Sequence, residues 1–142
     1  MNYAGDVSCT ECYSVLKEDA GAQLIDVRCS AEWNFVGVPD LQQIEKQPLL
    51  VEWQVYPVMD IDHEFADKVI NHLEALNVSK DTPIYFLCRS GVRSQSAASE
   101  LTSAGYTKAF NVLNGFEGAP DGEKHRGKIG GWKFDTLPWV QR

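Results

Sequence analysis

The chain has 142 residues, of which 44% are hydrophobic and 23% are charged, values that exclude a disordered chain. Its formal net charge of −7 argues against a nucleic-acid partner. No apolar run approaches the roughly 20 residues of a membrane-spanning helix, and the first residues lack the pattern of a signal peptide. We therefore expect a cytoplasmic protein with no membrane partner, folded as one domain over residues 1–142.

The distribution of charge along the chain and the cysteine content indicate what the protein can bind and whether it contains disulfides. Residues 1–80 contain 5 basic and 14 acidic side chains, whereas residues 81–142 contain 8 basic and 6 acidic ones. If the protein binds an anion, the C-terminal half is the expected place. The four cysteines are interpreted as free thiols, because disulfide frameworks are rare in cytosolic chains of this size.

The first predicted helix begins after Ser8, since Ser8 and Glu11 fit the capping-box pattern. Cys9 and Cys12 have the spacing of a redox motif or of half a zinc site. No strand is predicted before Cys9, and no second pair of ligands follows at a suitable spacing. We therefore interpret both cysteines as part of the first helical turns.

A short buried strand is predicted over residues 23–27 and ends in polar side chains. Arg28 and Glu32 follow at a spacing that allows an ion pair across one helical turn. Together with Asp26 they are interpreted as a structural ion pair that holds the loop, the alternative being contact with a substrate.

The middle of the chain predicts a loop, a strand and a helix. Residues 36–48 contain Gly and Pro and are expected to be mostly loop, and residues 49–58 are expected to form a second strand. An amphipathic helix over residues 62–76, with Asp60 or Asp62 as its cap, is predicted from the apolar positions Phe65, Val69, Leu73 and Leu76.

The most apolar predicted strand covers residues 83–87, as expected for a strand buried on both faces of a parallel sheet. It leads directly into the sequence Cys-Arg-Ser-Gly-Val-Arg-Ser at 88–94, then into a helix that stops at Gly105. Another short strand is predicted over 109–112. Strands that alternate with helices in this way predict an α/β fold.

The C-terminal region is rich in glycine and aromatic residues. Six of the eleven glycines fall between residues 115 and 131, which predicts a long flexible loop. The aromatic tail over residues 132–139 is expected to pack back on the body of the protein.

Cys88 stands at the predicted C-terminal end of a buried strand and just before a helix. In open α/β sheets, ligands bind at that edge. The N–H groups of the loop and of the first helical turn would surround the sulfur, and Arg89 and Arg93 add positive charge. These features favour a thiolate, which is the nucleophilic form of cysteine. Gly91 allows the tight turn, and Cys88 is the predicted nucleophile.

Residues 88–94 resemble the active-site loop of rhodanese-type sulfurtransferases. Supporting resemblances to other segments of that family are found at residues 24–28, 32–33, 111–116, 131–132 and 137–139. The resemblance covers nearly the whole chain and implies a five-stranded, mostly parallel sheet with helices on both faces. Residues 35–40 depart from the usual turn of the family, and residues 40–50 look like an insertion near the entrance to the site.

The resemblance implies sulfur transfer in two covalent steps. The Cys88 thiolate takes sulfur from a small anionic donor such as thiosulfate, and the resulting persulfide passes it to cyanide, a thiol or a protein acceptor. The side chain of Arg89 or Arg93 is expected to meet the anionic donor. No metal and no organic cofactor is implied. Backbone donors are expected from the binding loop, namely Arg89, Ser90, Gly91, Val92 and Arg93.

Two other functions remain open. The first is a phosphatase or arsenate reductase on the same scaffold. Phosphatase relatives have five residues between the cysteine and the arginine, whereas four separate Cys88 from Arg93, and this tighter loop better suits a terminal sulfur. The second is a non-catalytic module for sulfur sensing or docking, against which the retention of Cys88 and both arginines argues.

Four further residues have two interpretations each. Ser94 either belongs to the site or caps the following helix. Cys29 is either a turn residue, the favoured interpretation, or a thiol that resolves a persulfide on Cys88. Trp33 and Phe116 are interpreted first as packing residues and second as the lining of the entrance.

Overall fold

The protein is described by a computed structural model that covers residues 2–141. Its helices are α1 (Cys9–Glu18), α2 (Ser30–Phe35), α3 (Phe65–Ala75) and α4 (Val92–Ser103), with a short 3-10 helix at Gln42–Ile44. Its strands are β1 (Gly5–Val7), β2 (Gln23–Asp26), β3 (Val38–Pro39), β4 (Leu49–Leu50), β5 (Gln54–Val55), β6 (Asp60–Ile61), β7 (Ile84–Leu87), β8 (Ala109–Val112) and β9 (Trp139–Val140).

Five parallel strands form the central sheet in the order β1, β8, β7, β2, β4. Strand β7 lies in the middle, and all four of its residues are buried, as its continuous apolar sequence predicts. Two short antiparallel pairs, β3 with β9 and β5 with β6, lie outside this sheet. The predicted α/β fold with a five-stranded sheet is confirmed, and every pairing within that sheet is parallel.

The two faces of the sheet are covered by different helices. Alternate strand residues such as Ile25 and Phe86 pack with α3 and α4, whereas Leu24 and Leu87 pack with α1 and the aromatic tail. The alternation follows from the two-residue period of a strand. Helices on both faces are therefore confirmed. Among residues 2–141, no helix is long and apolar enough to cross a membrane.

Several predicted boundaries agree closely with the structure. The Ser8 hydroxyl caps α1 by accepting the Glu11 N–H at 3.1 Å. Helix α4 ends just before Gly105, and β8 occupies residues 109–112. The aromatic tail packs on the body as predicted: Trp132 is fully buried and donates its Nε1–H to the Pro138 carbonyl at 2.7 Å.

The predicted strand over residues 49–58 is wrong in its second half. Only Leu49 and Leu50 belong to the central sheet, where β4 is an edge strand with a single neighbour. The chain then turns through residues 56–59, and β5 pairs backwards with β6. Pro57 within the turn has no N–H with which to extend a strand ladder.

Two further boundaries in the structure differ from the predicted ones. Strand β1 immediately precedes Cys9, although no strand was predicted there, because three residues carry too little pattern to predict one. Helix α3 begins at Phe65 instead of residue 62. Asp62 forms the preceding turn, since its carboxylate accepts the Glu64 N–H at 2.9 Å and its carbonyl accepts the Phe65 N–H at 3.1 Å.

Candidate active site

Cys88 directly follows the central strand β7, at the C-terminal edge of the sheet, and is 1% exposed. Its Sγ accepts the Gly91 N–H at 3.1 Å and lies 3.2 Å from the Ser94 hydroxyl. Gly91 has a φ of 117°, a conformation that side-chain-bearing residues rarely adopt. A glycine at this position therefore lets the loop fold back so that its amide meets the sulfur.

The loop that follows Cys88 contains backbone N–H groups that are free to donate. Within residues 2–141, the N–H groups of Ser90, Val92 and Arg93 have no acceptor. Those of Val92 and Arg93 belong to the first turn of α4, where intrahelical partners are missing and the helix dipole favours negative charge. The loop can therefore bind a small anion or a charged sulfur above Cys88.

The carbonyl groups of the same loop are held by the glycine-rich segment. The Cys88 carbonyl accepts the Phe116 N–H at 2.8 Å, and the Arg89 carbonyl accepts those of Glu117 and Gly118 at 3.0 and 3.1 Å. A Cβ on Gly115 would lie 2.3 Å from the Cys88 oxygen, so only glycine permits this approach. The start of the predicted flexible loop thus fixes the active-site backbone.

Arg93 and Glu32 form a bidentate ion pair beside the loop. Arg93 Nη1 and Nη2 donate to Glu32 Oε1 and Oε2 at 2.7 and 2.9 Å. Burial of the Glu32 carboxyl acts to raise its pKa, but the hydrogen bonds and charge of Arg93, with the donors of Cys29, lower that pKa to about 2. The Arg93 guanidinium is therefore engaged with a carboxylate in this structure, whereas the Arg89 residue is exposed.

The predicted pairing of Arg28 with Glu32 is wrong. Arg28 is fully buried and donates from Nε and Nη2 to Asp26 at 2.9 and 2.7 Å. Side chains two residues apart in an extended segment lie on the same side, which brings these two together. Nη2 also donates to the Gly37 carbonyl at 2.8 Å, and the guanidinium lies 4.2 Å from the centre of the Phe116 ring. This ion pair is structural, in keeping with the favoured interpretation.

The structure also distinguishes between the interpretations of the four remaining residues. Ser94 is fully buried, and its side chain does not cap α4, whose N-cap is Gly91. Cys29 is the N-cap of α2 and donates its thiol to Glu32 Oε1 at 3.3 Å, so it has a structural role at the turn. Burial raises the pKa of the Cys29 thiol.

The two aromatic candidates for the entrance, Phe116 and Trp33, have different surroundings. Phe116 is fully buried between Arg28 and Lys133. Trp33 lines a cavity of about 300 Å³ whose other walls come from residues of the β4–β6 region and α3. Their interpretation as packing residues agrees with these positions. Across residues 2–141, no group of three or more His, Cys, Asp and Glu side chains is arranged to hold a metal ion.

Cys9 and Cys12 lie in α1 as predicted, and both are buried. Burial raises the pKa of the Cys9 thiol to about 12 and that of Cys12 well above its ordinary range. Cys9 Sγ donates to the Gly115 carbonyl at 3.4 Å, which helps to hold the turn that supports the Cys88 loop. Although a strand does precede Cys9, these two thiols are packing residues and lack the features of a reactive pair.

Comparison with known proteins identifies the family. Residues 4–142 match the family described as the STR4 middle domain. The chain is a rhodanese-like protein of this family. The crystal structure of Rv0390 from M. tuberculosis is similar, with a TM-score of 0.88, 42% sequence identity and 99% coverage of both chains.

Curated relatives support the same membership. An uncharacterized protein of Rickettsia rickettsii is 36% identical over 134 residues, which cover 94% of this chain and 95% of the relative. The chloroplastic protein THYLAKOID RHODANESE-LIKE of Oryza sativa subsp. indica is 29% identical over 96% of this chain and 25% of its own length. Thiosulfate sulfurtransferase GlpE of Tolumonas auensis is 44% identical over 41 residues, 29% of this chain and 39% of the relative.

Proposed function

We propose that this rhodanese-like protein is a sulfurtransferase that carries sulfane sulfur as a persulfide on Cys88. With thiosulfate as donor, the Cys88 thiolate attacks the outer sulfur, the S–S bond of the donor breaks, and sulfite leaves with the electron pair. An acceptor such as cyanide then attacks the outer sulfur of the persulfide. The S–S bond breaks and Cys88 leaves as a thiolate, which completes a two-step covalent cycle.

The backbone of the loop carries this proposal. Gly91 N–H already donates to Cys88 Sγ at 3.1 Å, and the N–H groups of Ser90, Val92 and Arg93 have no acceptor within residues 2–141. A persulfide adds a second, negatively charged sulfur beyond Sγ, within reach of such donors. Fixed donors aimed at a developing negative charge stabilise it without reorganisation, as in an oxyanion hole.

The exposed Arg89 is the side chain that we assign to attraction of the anionic donor. Arg93, held by Glu32, contributes its backbone N–H and fixes the first turn of α4 in place. The thiosulfate sulfurtransferase activity named for the partial relative from Tolumonas auensis supports the choice of thiosulfate as the first donor to test. We assign the acceptor role to cyanide in the assay and to a thiol in the cell.

Intact mass spectrometry after incubation with thiosulfate tests the proposal. The wild type is expected to gain one sulfur, about 32 Da, and Cys88→Ser is expected to gain none, because only a thiolate forms the covalent intermediate. Cys29→Ser is the matched control, since Cys29 is buried at a turn and is expected to leave the gain intact.

Absence of the added sulfur on the wild type would contradict the proposal for this donor. Hydrolysis of an aryl phosphate or reduction of arsenate by the wild type, abolished in Cys88→Ser, would then favour the alternative chemistry on the same scaffold. A protein that does neither would favour a different sulfur donor or a sensing or docking module.

A further inference from the structure

A chain of hydrogen bonds leads away from Cys88 through Ser94 and Asn111 to Asp6. Cys88 Sγ lies 3.2 Å from Ser94 Oγ, and the Ser94 hydroxyl donates to Asn111 Oδ1 at 2.5 Å. Asn111 Nδ2 donates to Asp6 Oδ1 at 3.0 Å, and Tyr3 donates its hydroxyl to the same oxygen at 2.9 Å. Ser94 and Asn111 are buried, whereas Asp6 lies on the edge strand β1 and is exposed.

The direction of every bond in this chain follows from Asp6. A carboxylate only accepts, so Asn111 must turn its amide nitrogen towards Asp6 and its oxygen towards Ser94. An amide oxygen also only accepts, so the single hydrogen of the Ser94 hydroxyl is directed to Asn111. What Ser94 presents to Cys88 is therefore a lone pair, which suits a protonated thiol.

A sulfur without a hydrogen needs the opposite arrangement. In a thiolate or a persulfide, Sγ has only lone pairs, so a contact of 3.2 Å with Ser94 is satisfied only when the hydroxyl donates to Sγ. The hydroxyl can do this by rotating its hydrogen from Asn111 to the sulfur. The Ser94 hydroxyl can thus accept from Sγ when the sulfur is a thiol and donate to Sγ when the sulfur carries no hydrogen. In the second case its hydrogen bond to Asn111 is lost.

We infer that Ser94 is a catalytic residue that stabilises Cys88 as the leaving group when the persulfide is discharged, with Asn111 and Asp6 as positioning residues. The inference rests on the proposed function. As the acceptor attacks the outer sulfur, the S–S bond breaks and its electron pair goes to Sγ. The Ser94 hydroxyl donates to Sγ while this charge develops, and no proton leaves the oxygen. When Sγ carries its own hydrogen, Asn111, oriented by Asp6, keeps the hydrogen of the Ser94 hydroxyl directed away from Sγ.

Steady-state kinetics with thiosulfate and cyanide separate the two half-reactions. In a two-step covalent cycle, kcat/KM for thiosulfate reports the loading of Cys88, and kcat/KM for cyanide reports its discharge. Ser94→Ala is expected to lower kcat/KM for cyanide by about tenfold to a hundredfold, because a hydrogen bond to a charged group is lost. It should leave kcat/KM for thiosulfate within about threefold. Ser96→Ala, on the exposed side of α4, is the matched control.

Asp6 variants test the positioning role with an effect of opposite sign. Without the carboxylate, as in Asp6→Ala, the Asn111 amide can turn its nitrogen to Ser94 and release the hydroxyl hydrogen to Sγ. We expect kcat/KM for cyanide to rise severalfold. Asp6→Asn retains an acceptor oxygen and should keep the wild-type constants.

Three results would overturn the inference. One is an equal fall of both constants in Ser94→Ala, which indicates a general structural defect, and the second is wild-type discharge by Ser94→Ala. The third, a fall in discharge in Asp6→Ala as large as in Ser94→Ala, would overturn the directional role of Asp6. Failure of the wild type to load sulfur at all would instead overturn the proposed function, so the two can be told apart.

Discussion

The ion pair between Glu32 and Arg93 predicts how stability depends on pH. The pKa of the Glu32 carboxyl is lowered from an ordinary 4.5 to about 2 in the folded protein. At about 1.4 kcal/mol per pH unit, the charged carboxylate stabilises the fold by about 3 kcal/mol near neutral pH. Because the pKa is lower in the folded state, this contribution is fully present above pH 4.5. It is lost as the pH falls through about 2.

Glu32→Gln tests this magnitude with little change in shape. The amide keeps one oxygen for the N–H of Cys29, but its nitrogen cannot accept from Arg93. Urea denaturation at constant ionic strength, repeated between pH 7 and pH 2.5, gives the free energy of unfolding of both proteins. We expect the variant to be less stable by up to about 3 kcal/mol at pH 7, and the difference to narrow progressively below pH 4.5.

The control and the contradicting result follow from the same reasoning. Glu100→Gln removes an exposed carboxylate from α4. Its free energy of unfolding is expected to differ little from that of the wild type, and the difference should not change with pH over this range. A Glu32→Gln difference that is equally flat between pH 5 and pH 2.5 would show that the ion pair does not stabilise the fold.

Two further substitutions test the supports of the site. Arg28→Ala leaves the buried Asp26 carboxylate without its partner. We expect the free energy of unfolding, measured by urea denaturation, to fall by about 3–5 kcal/mol. A loss below about 1 kcal/mol would contradict this expectation. Gly115→Ala places a Cβ 2.3 Å from the Cys88 carbonyl and should abolish sulfur loading measured by mass. Gly122→Ala, with no atom within 4 Å of its added Cβ, should load normally, and equal loading of both variants would refute the packing argument.

Structural elements that are determined by residues close together in the sequence could be predicted from local patterns. The capping box at Ser8, the apolar strand β7 and the glycine stop after α4 each depend on a few adjacent residues. The motif at residues 88–94 could also be recognised from adjacent residues, whereas the backbone geometry of that loop could not. These segments were predicted from the sequence, and they sufficed for the fold class.

Side-chain contacts between residues far apart in the sequence could not be predicted from such patterns. Glu32 is four residues from Arg28 in sequence but bonds to Arg93, 61 residues away, because α2 begins beside the loop after β7. The sequence predicts Asn111 only as a residue of a short strand and of a segment that resembles the family. Its position beside Ser94 depends on the pairing of β8 with β7.

The active-site loop shows why a local motif needs distant support. Nothing within residues 88–94 forces the backbone to turn its N–H groups towards the sulfur. The N–H groups of residues 116–118 bind the carbonyls of Cys88 and Arg89, which fixes the peptide planes of the loop with their oxygens away from the site. That contact requires Gly115, and Gly115 is brought there by strand β8 beside β7. The donor array at Cys88 is thus a property of the sheet, and a peptide containing the motif alone is expected to lack it.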